Sequence, residues 1–214
     1  MSVIALIDYG SGNIRSVEKA LAHVAAQSPG AGRVVTTSDP NIVWKAERIV
    51  LPGQGAFGDC MSGLQARSGI VEALTEAVLH RGAPFLGICV GMQLLADAGL
   101  EFGETKGLGW IGGVCRPLAP RDPSTRIPHM GWNAAEIVRP HAVFDALSPQ
   151  SYVYFMHSYV HAPSAARDIA ATTDHGGPFA SAVARDNIIG VQFHPEKSQV
   201  KGLGLLARFV DWRP

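Results

Sequence analysis

The chain has 214 residues, of which 47% are hydrophobic, and its 18 basic residues balance its 18 acidic ones. This length suits one large domain, and we predict a single domain over residues 1–214. A formal net charge of zero argues against a general attraction to nucleic acid or to an anionic membrane. The N-terminal stretch lacks the basic region of a signal peptide, and no apolar run approaches the roughly 20 residues that span a bilayer. We therefore expect a cytoplasmic protein.

Short apolar runs alternate with helical patterns in the first half of the chain. Strands are predicted at Val3–Ile7, Arg48–Leu51 and Pro84–Ile88, and helices at 14–24 and Val90–Ala98. This alternation predicts an α/β protein with a mostly parallel central sheet flanked by helices.

From about residue 109 the pattern changes to strands separated by short turns. The predicted strands are Trp110–Leu118, Ala134–Val138, Ser151–Val160, Phe179–Arg185 and Ile188–Phe193. We expect them to form a mixed or antiparallel extension of the sheet. The chain closes with a helical stripe that would cover one face of the sheet, at Leu203, Leu206, Ala207 and Val210.

No metal or other cofactor is predicted. His157 and His161 are four residues apart, as metal ligands on a helix often are, but their surroundings are strand-like and no further ligands cluster nearby. The loop Gly10-Ser11-Gly12 follows a strand as in dinucleotide-binding proteins, yet Arg15 stands where that motif has its third glycine.

Cys89 lies between a predicted strand and a predicted helix, in the segment Gly87-Ile88-Cys89-Val90-Gly91. This is the G-x-nucleophile-x-G pattern with cysteine as the nucleophile. Glycines avoid collisions at such a sharp turn, and the amides of a helix N-terminus would make the thiol more acidic. Most free cysteines are small buried hydrophobic residues, and the pattern alone leaves both interpretations open.

The segment 191–198 supplies a base for such a nucleophile. If the chain is extended there, His194 and Glu196 point to the same face. The imidazole could accept the thiol proton while the carboxylate fixes its tautomer and favours the imidazolium. Pro195 has no amide donor, so the strand should be ending or at an edge. A surface His and Glu in a turn is the alternative, and the Cys89 pattern favours catalysis.

With Gly87 to Gln93 and His194-Pro195-Glu196, the chain resembles the class I (triad) glutamine amidotransferases, which have a flavodoxin-like sheet. Further segments make it similar to the glutaminase subunits of imidazole glycerol phosphate synthase, of histidine biosynthesis: 8–16, 51–53, 128–133, 157–160 and 192–199. The resemblance implies that glutamine is hydrolysed through a thioester at Cys89. It also implies a heterodimer in which a (β/α)₈ barrel cyclase subunit uses the ammonia to make imidazole glycerol phosphate and aminoimidazole carboxamide ribotide.

The same resemblance assigns residues to the glutamine pocket. Gln93 follows Cys89 by one helical turn, and Glu101 would suit the ammonium group of the substrate. Ser158 and Tyr159 would contact the carboxylate end of glutamine through backbone or hydroxyl groups.

An oxyanion hole needs donors aimed at the developing negative charge. The resemblance implies a backbone amide of the loop Gly53-Gln54-Gly55 together with that of Val90. The family usually has valine where this chain has Gln54, so the control of this loop could differ.

The resemblance places Asn13 and Arg15 near the surface that meets the cyclase, although an ordinary strand-to-helix turn would also explain them. Two other functions stay open from sequence alone. The chain could serve another ammonia acceptor, or it could be a non-catalytic interaction subunit with a glutaminase fold.

Overall fold

The computed structural model of the protein describes residues 2–11, 13–147 and 151–214. Its strands, in chain order, are β1 (Val3–Ile7), β2 (Arg33–Thr37), β3 (Arg48–Leu51), β4 (Phe85–Ile88), β5 (Ala98–Gly99), β6 (Thr105–Lys106), β7 (Gly113–Pro117), β8 (His129–Ile137), β9 (Ser151–His157), β10 (Tyr159–Pro163), β11 (Ile169–Asp174), β12 (Pro178–Arg185) and β13 (Ile188–Val191). The α-helices are α1 (Ile14–Ala25), α2 (Pro40–Lys45), α3 (Phe57–Gln65), α4 (Ile70–Thr75), α5 (Val90–Gln93) and α6 (Gln199–Asp211). None of the helices in these ranges is long and apolar enough to cross a membrane.

The larger sheet has the strand order β2-β1-β3-β4-β13-β12-β11-β8-β9. The first five strands in this order, from β2 to β13, pair with their neighbours in parallel. From β13 onward, through β12, β11 and β8 to β9, every pair is antiparallel. A smaller sheet has the order β10-β7-β5-β6. The predicted α/β class with a mixed extension is therefore confirmed, and β13 is the strand at which the pairing changes direction.

The central strands β3, β4 and β13 are buried along their whole length, as expected for parallel strands covered on both faces. The predicted C-terminal helix is confirmed as α6, which buries Leu205, Leu206, Phe209 and Val210. Arg48 of β3 is also buried, and its guanidinium donates to the carbonyls of Phe209, at 3.4 Å, and Trp212, at 2.9 Å. These bonds attach the end of α6 to the sheet.

The predicted helix Val90–Ala98 is too long, because α5 ends at Gln93. The carbonyls of residues 94–96 accept hydrogen bonds from amides of the loop 108–111 instead of continuing the helix. Residues 98 and 99 then form β5 of the smaller sheet.

The predicted strand Ser151–Val160 is two strands that belong to different sheets, β9 and β10. The chain leaves the larger sheet at Ser158, whose carbonyl accepts from the Leu118 amide at 2.8 Å. Two other strand starts differ from prediction: Trp110–Leu118 is regular only from Gly113, and the strand predicted from Ala134 begins at His129.

Backbone segments pack against each other directly where β3 and β4 end. A methyl group on Gly91 would overlap the Leu51 carbonyl oxygen, and one on Gly87 would lie 2.5 Å from the Gly91 oxygen. Only glycine fits at these positions. The contact brings the loop after β3 beside the first turn of α5, which follows Cys89.

Replacing Gly91 with Ala should lower the free energy of unfolding by about 1–3 kcal/mol, because the added methyl has only backbone to displace. Gly58→Ala is the matched control: its methyl would lie 3.3 Å from the flexible Thr105 side chain, inside α3. Alanine is favoured over glycine in a helix by about 1 kcal/mol, so this variant should be no less stable than the parent. Chemical denaturation measures the free energy of unfolding of both variants. Equal losses of stability in the two variants would contradict the packing explanation.

Candidate active site

Cys89 occupies a strained turn between β4 and α5. Its φ and ψ angles are 55° and −113°, a conformation that residues with a side chain rarely adopt. The Cys89 amide donates to the Val191 carbonyl of β13 at 2.8 Å, and the Cys89 carbonyl accepts from the Met92 amide at 3.0 Å. Strain of this kind persists only where the surroundings enforce it, and here it holds the thiol at the C-terminal edge of the sheet.

His194 and Glu196 lie beside Cys89, but not on a strand as the sequence suggested. Strand β13 ends at Val191, and Pro195–Lys197 form a turn of 3₁₀-helix that begins after His194. The turn still brings the two side chains together, with His194 Nδ1 2.9 Å from Glu196 Oε1. Both side chains are almost completely buried.

Strand β9 fixes the backbone of the histidine. The His194 amide donates to the Tyr154 carbonyl at 2.8 Å. Ser198 completes the link, because its hydroxyl donates to the His194 carbonyl at 2.7 Å and accepts from the Tyr154 amide at 3.0 Å. This positioning role of Ser198 was not predicted from the sequence.

The surroundings of His194 favour its charged form. Burial of the ring opposes protonation, but the Cys89 sulfur and the Glu196 carboxylate outweigh it and raise the pKa of His194 to about 9. Within the described ranges, no hydrogen bond of ordinary geometry reaches the buried Nε2 atom. The nearby Cys89 sulfur and the Glu196 carboxylate both favour the imidazolium form of His194.

A cavity of about 300 Å³ opens in front of the sulfur, within the size range of small-molecule sites. Most of the residues predicted for the site line it. The lining consists of Gln54, Gly55, Cys89, Val90, Gln93, Glu101, Met156, His157, Ser158, Tyr159 and His194. Glu196 is outside this lining, behind His194, and Gly53 packs against Gly91 and Val90.

Polar groups of the cavity wall form hydrogen bonds with protein groups on the side away from the cavity. A Glu101 carboxylate oxygen accepts from the Phe57 amide at the start of α3, at 2.9 Å. The Gln93 side-chain amide donates to the Tyr159 carbonyl at 2.9 Å, and the Ser158 carbonyl accepts from Leu118. The Tyr159 carbonyl also accepts from His157 Nδ1, which uses its second lone pair, so a ligand contact of Tyr159 must use another group; the Ser158 carbonyl keeps one lone pair.

The predicted oxyanion loop is anchored by Ser11. The Ser11 hydroxyl donates to the Gln54 carbonyl at 2.5 Å and lies 3.4 Å from the Gln54 amide, and the Cys60 thiol donates to the same carbonyl at 3.5 Å. Ser11 lines a neighbouring pocket, so the Gln54 amide is directed away from the cavity that contains Cys89. The amides of Gly55 and of Val90, the first of α5, are the remaining donors.

Two buried polar residues beside the nucleophile were missed by the sequence analysis. Gln192 donates its side-chain amide to the Cys89 sulfur at 3.7 Å, and His157 lines the cavity. A fully buried Gln in the apolar segment that follows β13 was a usable signal, because buried polar groups are normally hydrogen-bonded. The family resemblance covers His157, in the segment 157–160, but assigns it no role.

The two residues predicted to meet a partner lie at the start of α1. Arg15 is exposed, and Asn13 is half-buried with its carbonyl accepting from the Val17 amide at 3.3 Å. As for metals, no group of three or more potential ligand side chains lies together in the described part of the chain.

Comparison with known proteins agrees with this geometry. The "Glutamine amidotransferase class-I" family matches residues 5–211. The chain is 56% identical to the imidazole glycerol phosphate synthase subunit HisH of Caulobacter vibrioides, over 100% of both chains. It is 50% identical to the subunit of the same name from Rhodospirillum rubrum, over 99% of both.

Solved structures share the fold at low sequence identity. The structure of PurLQS from Thermotoga maritima matches with a TM-score of 0.69 and 18% identity over 98% of each chain. A glutamine amidotransferase from Thermotoga maritima matches with a TM-score of 0.64 and 15% identity over 99% of each chain. The family match and the full-length relatives confirm the resemblance found in the sequence: the chain belongs to the class I glutamine amidotransferase family.

Proposed function

We propose that this chain is the glutaminase subunit of an imidazole glycerol phosphate synthase and hydrolyses glutamine to glutamate and ammonia. The observation that carries the proposal is the buried His194, which interacts with the Cys89 sulfur and lies 2.9 Å from Glu196 at the wall of a ligand-sized cavity. A non-catalytic subunit would have no need of this charged arrangement, because burying such a pair is costly.

Acylation begins with attack of the Cys89 thiolate on the carboxamide carbon of glutamine. A C–S bond forms, and the carbonyl oxygen becomes an oxyanion that backbone amides, of Val90 and of the loop containing Gly55, would stabilise. The His194 imidazolium gives its proton to the nitrogen as the C–N bond breaks, and ammonia leaves. The product is a glutamyl thioester with a neutral His194.

Deacylation uses the same side chains, but His194 now acts as a base instead of an acid. Neutral His194 takes a proton from water, which attacks the thioester carbon, and glutamate leaves as the Cys89 thiolate and the imidazolium are restored. Glu196 keeps His194 in the tautomer that has Nδ1–H and offers Nε2 to the reacting atoms. Gln93 and Glu101 would bind polar groups of glutamine, and Glu101 is the carboxylate suited to its ammonium group.

The ammonia would pass to a separate cyclase subunit with a (β/α)₈ barrel, in a heterodimer whose surface includes Asn13 and Arg15. Support comes from the printed names of the full-length relatives, which are subunits of imidazole glycerol phosphate synthase. We also infer that residues 1–214 form one domain, because a single apolar cluster contains residues from Ile4 to Val210. Three free cysteines suit the reducing cytoplasm.

Replacing Cys89 with Ala should abolish glutamine hydrolysis, because no thioester can form. Synthesis by the complex from added ammonia should continue, since the acceptor site lies on the other subunit. Cys115→Ala, at another buried cysteine, is the matched control and should retain glutamine-dependent synthesis. Both variants are assayed for glutamate release, and for product formation with glutamine or with ammonia as the nitrogen source. Glutamine turnover by the Cys89 variant would disprove the assigned nucleophile.

The pKa of His194, about 9, sets an expected pH dependence. The imidazolium protonates the leaving amide nitrogen as the C–N bond breaks, so kcat/KM should fall as the pH rises through about 9. The same proton contributes folding stability that is complete below about pH 6.5 and is lost above the raised pKa.

Glu196→Gln removes the negative charge that stabilises the imidazolium, so the alkaline limb of the kcat/KM profile should move down by about 1–3 pH units. Glu136→Gln, at an exposed position on β8, should leave the profile unchanged. An unshifted limb in the Glu196 variant would contradict the assignment.

The isolated chain should be a poor glutaminase that the cyclase, with its ligand bound, activates by reordering the oxyanion loop. In the arrangement described above, Ser11 holds the Gln54 amide away from the cavity. Ser11→Ala should therefore raise the basal rate and reduce the ratio of stimulated to basal activity, whereas Ser68→Ala, at an exposed serine, should change neither. Equal glutamate release with and without partner and ligand would refute the coupling.

A further inference from the structure

A row of polar side chains runs from strand β8 to the cavity wall. His129 and His157 are cross-strand partners of β8 and β9, and both are buried. His129 Nδ1 lies 3.0 Å from His157 Nε2, and His157 Nδ1 lies 3.0 Å from the Tyr159 carbonyl oxygen. The His129 ring is stacked between Phe155 and His175, with centroid distances of 4.7 and 4.0 Å. The two imidazoles are therefore fixed in position and in orientation.

The position of each proton in this row follows from the chemistry of its partners. The Tyr159 carbonyl can only accept, so His157 Nδ1 carries hydrogen. Burial lowers the pKa of His157 to about 3 and that of His129 to about 4, so both rings are neutral. His157 Nε2 must then accept from His129 Nδ1–H, and His129 Nε2 accepts from the Asn133 side-chain amide at 3.2 Å. Asn133 donates its other hydrogen to the Asp174 carbonyl at 2.8 Å.

The row continues from the Tyr159 carbonyl to the nucleophile. This carbonyl also accepts from Gln93 Nε2 at 2.9 Å, and Gln93 Nε2 donates its second hydrogen to Gln192 Oε1 at 3.0 Å. Gln192 Nε2 then donates to the Cys89 sulfur at 3.7 Å. With both Nε2 hydrogens used, Gln93 has its Oε1 atom left, and no described residue donates to it. Gln93 lines the cavity, so this oxygen is an acceptor available to a ligand.

We propose that His157, oriented by His129 and Asn133, is a positioning residue for glutamine binding: it and Gln192 hold the Gln93 amide with its acceptor oxygen toward the substrate. The proposal rests on the glutaminase function proposed above and adds a row of residues behind the pocket. A flipped Gln93 would place its oxygen against two acceptors, the Tyr159 carbonyl and Gln192 Oε1, and would turn its N–H groups toward glutamine. The hydrogen bonds of this row exclude the flipped orientation of Gln93 before glutamine binds. Binding then costs less conformational entropy, because the side chain is already ordered.

A purely structural role for the histidines makes a different prediction. Two neutral, paired imidazoles could simply satisfy each other inside the sheet, and their loss would then reduce stability without a selective effect on glutamine. The distinguishing readout is recognition of a glutamine-like ligand, compared with the general reactivity of the Cys89 thiol. Both can be measured on the chain itself, without turnover.

The experiment compares His157→Leu, which removes the donor to Tyr159, with His157→Asn, whose amide nitrogen can replace Nδ1–H. His161→Leu is the matched control, because His161 is a fully buried histidine on β10 that takes no part in the row. Alkylation of Cys89 is followed by mass spectrometry with two reagents. Iodoacetamide reports thiol reactivity, and the glutamine-like diazoketone 6-diazo-5-oxo-L-norleucine reports thiol reactivity and pocket binding together. Thermal melting confirms that each variant is folded.

His157→Leu should raise the half-saturating diazoketone concentration about tenfold, the scale of one lost hydrogen bond, and leave the iodoacetamide rate within about twofold of wild type. His157→Asn should recover most of the binding, and His161→Leu should behave as wild type. If His157→Leu does not fold, His157→Gln takes its place, because its amide lies at the Nε2 position and leaves the Tyr159 carbonyl without the donor from residue 157.

Three results would overturn the inference: unchanged diazoketone saturation in the Leu or Gln variant, an equal loss in His161→Leu, or a parallel loss of iodoacetamide reactivity. Wild-type protein that iodoacetamide alkylates at Cys89, but that shows no saturable diazoketone labelling even with the cyclase and its ligand present, would instead refute the glutaminase function and the inference with it. The two failures are thus distinguishable.

Discussion

The site depends on a backbone contact between the end of β3 and the first turn of α5, where Gly91 lies against the Leu51 carbonyl. This contact is possible only without a side chain. It allows the chain to turn sharply at Cys89, whose φ of 55° is enforced by the packing of its neighbours and by the bond from its amide to Val191. The same contact places the loop containing Gly55 beside the sulfur. Nucleophile and proposed oxyanion donors are therefore positioned by one packing constraint.

The proposed base reaches this turn because β13 is parallel to β4. The C-terminal ends of the two strands lie at the same edge of the sheet, so the chain leaves β13 where Cys89 emerges. His194 follows within three residues of the strand end and is held there by Tyr154 and Ser198. Helix α5 is a single turn, so its dipole at Cys89 is weak. The Cys89 sulfur and the Glu196 carboxylate raise the pKa of the histidine instead.

Sequence patterns predicted the fold class, most strands, and the three residues that meet at the site. They did so because apolar runs and a glycine-flanked cysteine carry local information that the tertiary structure does not override. Patterns failed where long-range hydrogen bonds decide the structure: α5 ends at Gln93 because the carbonyls of residues 94–96 pair with the loop 108–111, and residues 151–160 divide between two sheets. Strands β2, β5, β6 and β11 and helices α2 to α4 were not predicted. Helix α3 does carry apolar residues at helical spacing, Phe57, Cys60, Met61 and Leu64, so its pattern was overlooked. The row from His129 to Gln192 could not be predicted, because it depends on the register of β8 and β9.

The central claim is that Cys89 carries the glutamyl group during turnover. Acid quenching of the protein during steady-state glutamine hydrolysis, followed by peptide mass spectrometry, tests it directly, with the cyclase and its ligand present so that turnover is fast. We expect a glutamyl adduct on the peptide that contains Cys89, absent when glutamate replaces glutamine. Glutamate release with no adduct at Cys89, or with the adduct at Cys60 or Cys115, would contradict it.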